Sequence, residues 1–188
     1  ALKKYLGELE ADALREQILD LYGRFPEVKT YYDFVFNPRE DKLLREAMQR
    51  ISEEYFPHRR KKAKARRSVA HKYIRHFRTL GVDAVVLAEL MAFNLETAQR
   101  YEADRNCPEA FYRSIFKSFQ EWGSHLVHHG VYPEFAHRAT SFVEGVQAAD
   151  WPGKQAYIDQ MNALELDDPR LMDIAVPANR ACGVLNAA

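Results

Sequence analysis

The chain has 188 residues, 47% of them apolar and 12% aromatic, with 27 basic residues against 27 acidic ones. That is long enough to bury a core as one domain without metal or disulfide staples, and too apolar to stay disordered. A formal net charge of zero excludes a uniformly basic or acidic protein, and no apolar run approaches the ~20 residues of a membrane helix.

Apolar residues recur at three- and four-residue spacing almost throughout, and no segment sustains a period of two. The first segments read as helices near 2–9 and 12–25, the second carrying the stripe Leu14, Ile18, Leu21 and Phe25. Pro26 can open a helix over 27–36, because the N–H it lacks would be unpaired there anyway. Its aromatic residues Tyr31, Tyr32, Phe34 and Phe36 read as core, with pocket lining as the alternative. A helix over 38–54 follows, with Asn37 as cap, Pro38 at the first position, Glu40 at the third, and the stripe Leu44, Met48, Ile51 and Tyr55.

Further helices are expected over 67–80, 83–104, 108–129, 131–148 and 153–165, with Gly81, Gly130 and Gly153 at the breaks. The spacing of Val86, Leu90, Phe93, Thr97 and Tyr101, and of Ile115, Phe119, Trp122 and Leu126, supports two of these. Short connections favour antiparallel hairpins. The expectation is an all-α fold of about eight helices, arranged as an irregular bundle or a short superhelix. Residues 1–166 form the helical domain with a basic linker at 57–66, and 167–188 form a weakly structured tail.

Charge is distributed unevenly along this frame. No Asp or Glu lies between Glu54 and Asp83, a stretch that holds ten of the 27 basic residues. Such a cluster attracts polyanions even at zero net charge. Over 67–80, Arg67, His71, Arg75 and Arg78 fall within an arc of roughly 80°, opposite Val69, Tyr73, Phe77 and Leu80. The candidate phosphate contacts are Arg59, Arg60, Lys61, Lys62, Lys64, Arg66, Arg67, Arg75 and Arg78. The competing reading is a solvated surface, or cations paired with the acidic excess elsewhere in the chain. No zinc-finger spacing, RNP aromatics or GxxG clamp accompanies them, so any nucleic-acid contact is to the backbone and not sequence-selective.

A second cluster joins Glu121, His125 and His128 at helical spacing, with His137 on the next helix, as a candidate divalent-metal site. Histidines before a helix-ending glycine also suit the negative end of the helix dipole. Cys107 before Pro108 reads as a small residue at a helix start, or as a stabilised thiolate. With Cys182 it suggests free thiols in a reducing compartment, and no apolar leader opens the sequence, so a cytoplasmic location is expected. No P-loop, dinucleotide-binding glycine pattern or GxSxG elbow occurs. The sequence thus favours a non-enzymatic interaction module that binds nucleic acid, RNA included, or another acidic surface, with no cofactor. A protein–protein scaffold of helical hairpins and a metal-dependent enzyme are the alternatives.

The run Leu19-Asp20-Leu21-Tyr22-Gly23-Arg24-Phe25-Pro26-Glu27-Val28-Lys29, followed by Tyr31-Tyr32-Asp33-Phe34 and Asn37-Pro38, carries a family likeness. With the opening Ala1-Leu2-Lys3-Lys4-Tyr5-Leu6, with Phe56-Pro57 and with the helix beginning near Ser68, it resembles a family of small bacterial proteins classed only as a domain of unknown function. The resemblance spans roughly residues 1 to 130. It implies a helical, cytoplasmic protein and transfers no catalytic residue.

Overall fold

The computed structural model describes residues 1–58 and 62–166. Among them are nine helices and no strand: α1 (Leu2–Gly7), α2 (Ala11–Arg24), α3 (Pro26–Phe36), α4 (Glu40–Tyr55), α5 (Arg67–Leu80), α6 (Ala84–Glu102), α7 (Glu109–His128), α8 (Tyr132–Ala148) and α9 (Lys154–Leu166). The all-α expectation holds, as a packed bundle. The proposed tail, with Cys182, lies outside the described residues.

The bundle is organised by α6. This helix is apolar on all but the strip that carries Glu89, Glu96 and Arg100. From Ala84 to Gln99 every residue is buried or partly buried, and Arg138 covers the two carboxylates. A helix of that kind must be surrounded, and α4, α5, α7 and α8 all pack on it, with α9 closing over α7 and α8. Leu90, Leu95 and Ala98 are fully enclosed, together with Ile51 of α4, Phe77 of α5, Trp122 of α7 and Val146 of α8. The single stripe expected for this helix understated it, because the opposite side, Leu87, Ala88, Met91 and Leu95, is buried as well.

Helices α4, α7 and α8 also carry a polar pin to α6. Tyr55 of α4 donates to the Asn94 side chain at 3.4 Å. From α7, Trp122 Nε1 donates to the Ala88 carbonyl at 3.1 Å. From α8, Arg138 donates to Glu96 at 2.8 Å and also bonds Glu89. Glu102 accepts from the Tyr112 hydroxyl and from Trp151 Nε1, each at 2.8 Å. Burial and the Glu102 hydrogen bond push the Tyr112 hydroxyl up to about 12, so the phenol stays a donor. Apolar burial is non-directional, whereas these bonds fix the register of those neighbours. Among the described residues no buried side-chain nitrogen or oxygen lacks a partner.

The helix ends follow local rules. Asp83 caps α6 through its carboxylate, which accepts the Val85 N–H at 2.8 Å. Gly81 (φ 71°) ends α5 in a six-to-one closure, Val82 N–H to Phe77 carbonyl, and Gly130 (φ 66°) repeats it with Val131 and Leu126. One cap differs from expectation. Asn37 does not start α4; its N–H already bonds the Asp33 and Phe34 carbonyls and closes α3. The next helix begins at Glu40, whose side chain accepts the Asp83 N–H at 3.0 Å instead of reaching back to a cap.

The aromatic residues of α3 also depart from the expected core. Phe34 packs against the body, but Tyr31 and Phe36 are exposed, and α1, α2 and α3 contain no buried residue. The amphipathic stripe of α2 finds no cover within the described chain. Cys107 is buried, and burial raises its thiol, which opposes the thiolate alternative.

Two substitutions grade this account. Leu90→Ala, at 0% exposure, should cost about 2–5 kcal/mol. Gly81→Ala, which forces a Cβ into the left-handed region, should cost about 1–2 kcal/mol. Urea unfolding of the two variants measures both; equal costs would contradict the central position of α6.

Candidate functional site

Helix α5 forms because its apolar positions repeat at helical spacing, and its buried face is Ala70, Ile74, Phe77 and Leu80. That orientation leaves Lys72, Arg75 and Arg78 exposed. Lys62 and Lys64, on the approach to the helix, are exposed too. None of these five has an ion-pair partner among the described residues.

Two other candidates are engaged by the fold itself. Arg66 binds Glu54 through two guanidinium bonds, at 2.8 and 3.2 Å. The backbone of the linker folds onto the same residue: the N–H groups of Lys64 and Ala65 reach the Glu54 carbonyl, and that of Arg66 reaches its carboxylate. Hydrogen bonds from Arg66 hold the Glu54 carboxyl below the usual carboxylate range despite its burial. Arg67 is only 24% exposed and bonds Glu121 at 2.5 Å and Ser118 at 3.0 Å, tying α5 to α7. Arg59, Arg60 and Lys61 lie outside the described residues.

Glu54 and Glu121 are therefore the residues that sequence reasoning missed in this role. Glu54 sits at the end of α4, twelve residues before Arg66, and Glu121 lies 54 residues after Arg67. A turn-scale pattern search reaches neither partner.

The α5–α7 seam opens into a shallow cleft of about 470 Å³, lined by Arg78, Gln120, Glu121, Ser124, His125, His128 and His129. His125 forms its inner wall. Its Nε2 donates to the Ala84 carbonyl of α6 at 2.9 Å, which sets the neutral tautomer. His129 lies tilted against it at 4.4 Å between ring centres, and His128 meets His129 edge-on. Burial first, then the positive charge of Arg78 and the other histidines, lowers the pKa of His125. On α5, His71 is lowered by burial and then by Arg67, Arg75 and Arg78, against the single opposing charge of Glu121. Its 3.8 Å contact with Glu121 is thus held toward the neutral imidazole and is not a full ion pair. In both histidines burial is the larger cause and the neighbouring cations add to it.

Three of the proposed metal ligands, Glu121, His125 and His128, line this cleft together, but they are not arranged as a ligand set. Glu121 is occupied by Arg67, His125 by a backbone carbonyl, and His137 is exposed on α8. Among the described residues no three His, Cys, Asp or Glu side chains are arranged to hold a metal ion. No helix among them is long and apolar enough to cross a membrane.

Residues 1–165 match the model of a family of unknown function, DUF6155. The chain belongs to the DUF6155 family. The match extends past the roughly 1–130 span of the resemblance and takes in α8 and α9 as well, save the last described residue. No curated protein and no solved structure matches the chain.

The lowered histidines of this DUF6155 protein give a pH dependence of known sign. Below about pH 6.5 the unfolded chain takes up protons that folded His125 and His71 resist. Their contribution is complete above that pH and is lost as pH falls through the folded values. His125→Gln keeps a donor for the Ala84 carbonyl and removes the titration. Urea midpoints measured between pH 7.5 and pH 6 should fall less in this variant than in the parent; equal slopes would contradict the assignment.

Proposed function

We propose that this protein is a non-enzymatic interaction module whose α5 face, with Lys62 and Lys64 beside it, binds nucleic acid or another polyanion along its phosphate backbone. One observation carries the reading: Lys72, Arg75 and Arg78 stand exposed on a helix with no acidic residue of its own, and no carboxylate of the described chain pairs with them. Cations that no acidic residue of the described chain pairs with are available to an external anion.

The internally paired arginines have a different part in this proposal. Arg66, held by Glu54, fixes the linker against α4, and Arg67, held by Glu121, fixes α5 against α7. Both orient the free cations without spending them. A face set in place this way loses less conformational entropy on binding than loose side chains on a loop would. The cleft beside Arg78 offers hydroxyl, amide and imidazole groups at the edge of the same face, from Ser124, Gln120, His128 and His129. These suit phosphate oxygens and carry no base-edge code. Backbone-level contact to RNA or DNA, without sequence selectivity, is the form of recognition this chemistry supports.

Fluorescence anisotropy with labelled single-stranded and duplex RNA and DNA, over a salt series, tests the proposal. Affinity should fall linearly on a log–log plot against salt. Replacing Arg75 and Arg78 together by Ala should weaken binding evenly across sequences and reduce the salt slope by about two contacts' worth. No binding of any of these polyanions at the lowest workable salt would overturn it.

A further inference from the structure

We propose that α7 supplies a second wall of the anion site, so that a phosphodiester chain lies lengthwise in the groove between α5 and α7, with Lys117 as a contact that the α5 face alone does not include. This rests on the polyanion reading and deepens it: the ligand is a chain of phosphates, and its path over the surface is placed.

The path follows from which sides of the two helices meet. Arg67 bonds Ser118 and Glu121, so the Arg67 side of α5 is turned to α7. At about 100° per residue, His71 and Arg78 lie within roughly 40° of Arg67 around the helix, whereas Lys72 is about 140° away. Arg78 accordingly reaches the cleft, beside Gln120, Ser124 and His128 of α7. On α7, Lys117, Ser124 and His128 fall within an arc of about 40°. Lys117 therefore continues the wall of the cleft one turn beyond Glu121 toward the start of α7. All three of these α7 side chains are exposed. Lys117 enters no ion pair among the described residues.

The two walls suit phosphate oxygens. One carries the Arg78 guanidinium. The other carries the Lys117 ammonium, the Ser124 hydroxyl, the Gln120 amide and an imidazole N–H of His128, all of them hydrogen-bond donors. Glu121 is the acidic residue among the cleft's lining groups, and Arg67 matches its charge. An anion entering the groove thus meets donors from both helices and a carboxylate already paired.

Length selects a chain over a lone ion. Arg67 to Arg78 on one wall, and Lys117 to His128 on the other, each span about 16 Å of helix. A single phosphate touches one end of such a groove. A nucleic-acid strand, with a phosphate about every 3.4 Å of a duplex axis, spans it with several.

Fluorescence anisotropy of the full chain with a labelled single-stranded DNA of mixed sequence, over a salt series, tests this. K117A should weaken binding on the order of fivefold at about 0.1 M salt and lower the log–log salt slope by about 0.7, one contact on a single strand. K3A, at an exposed lysine of α1, is the control and should leave both unchanged. Unlabelled DNA should displace the probe, and inorganic phosphate at the same phosphate concentration should not. If R75A/R78A weakens binding while K117A matches K3A, the second wall is overturned and the α5 face stands. No binding by the wild type overturns both, and displacement by free phosphate overturns the chain as ligand. Lysine acetylation of the wild type, read by mass spectrometry, needs no variant: bound DNA must shield Lys117, and an unshielded Lys117 overturns the proposal.

Discussion

The structure depends on one helix that is enclosed over most of its surface. Because α6 is apolar on all but the narrow strip that carries Glu89, Glu96 and Arg100, four helices close around it at once. Helix α5 can then turn only its alanine, isoleucine, phenylalanine and leucine inward, and its arginines outward. Helix α7 must face α6 with Trp122 and His125, which places Glu121 and His128 along the seam with α5. The cationic face and the cleft beside it are consequences of that enclosure, not separate devices.

Two surfaces remain unsatisfied, and they differ in kind. On α5 the residue is charge: cations that the fold neither pairs nor buries. On α1–α3 it is apolar area, with ion pairs, among the described residues, only within α2 and at the end of α1. The first kind acts at a distance and is screened over about 8–10 Å at moderate salt. The second acts only on contact and demands complementary shape. Glu54 and Glu121 divide the basic segment accordingly, holding Arg66 and Arg67 as anchors and leaving Lys72, Arg75 and Arg78 to the solvent.

Much of the fold was legible in the sequence because helices are local. Three- and four-residue spacing placed every element to within a few residues, and Gly81, Gly130 and Gly153 marked stops since the left-handed conformation suits glycine. Asn37 reads in the sequence as the start of the next helix and instead ends α3, because its N–H finds the Asp33 and Phe34 carbonyls. Cover was not legible. The stripes of α2 and α4 look alike in the sequence, yet Ile51 and Tyr55 are enclosed and Ile18 and Phe25 are not. Periodicity tells which face is apolar and cannot tell what lies against it. The site divided along the same line. The position of Arg75 and Arg78 on an outer arc followed from helix geometry, whereas the pairing of Arg66 and Arg67, and the diversion of Glu121 and His125 from a shared metal site, depend on contacts across the fold.

Amide hydrogen exchange, resolved by residue on the native protein, tests the central claim most directly. If α6 is the enclosed helix around which the others pack, its amides from Leu87 to Ala98 open only with global unfolding and exchange slowest of all. Exchange of those amides at rates matching the exposed turns of α5 would show that α6 opens by itself, and would contradict the account.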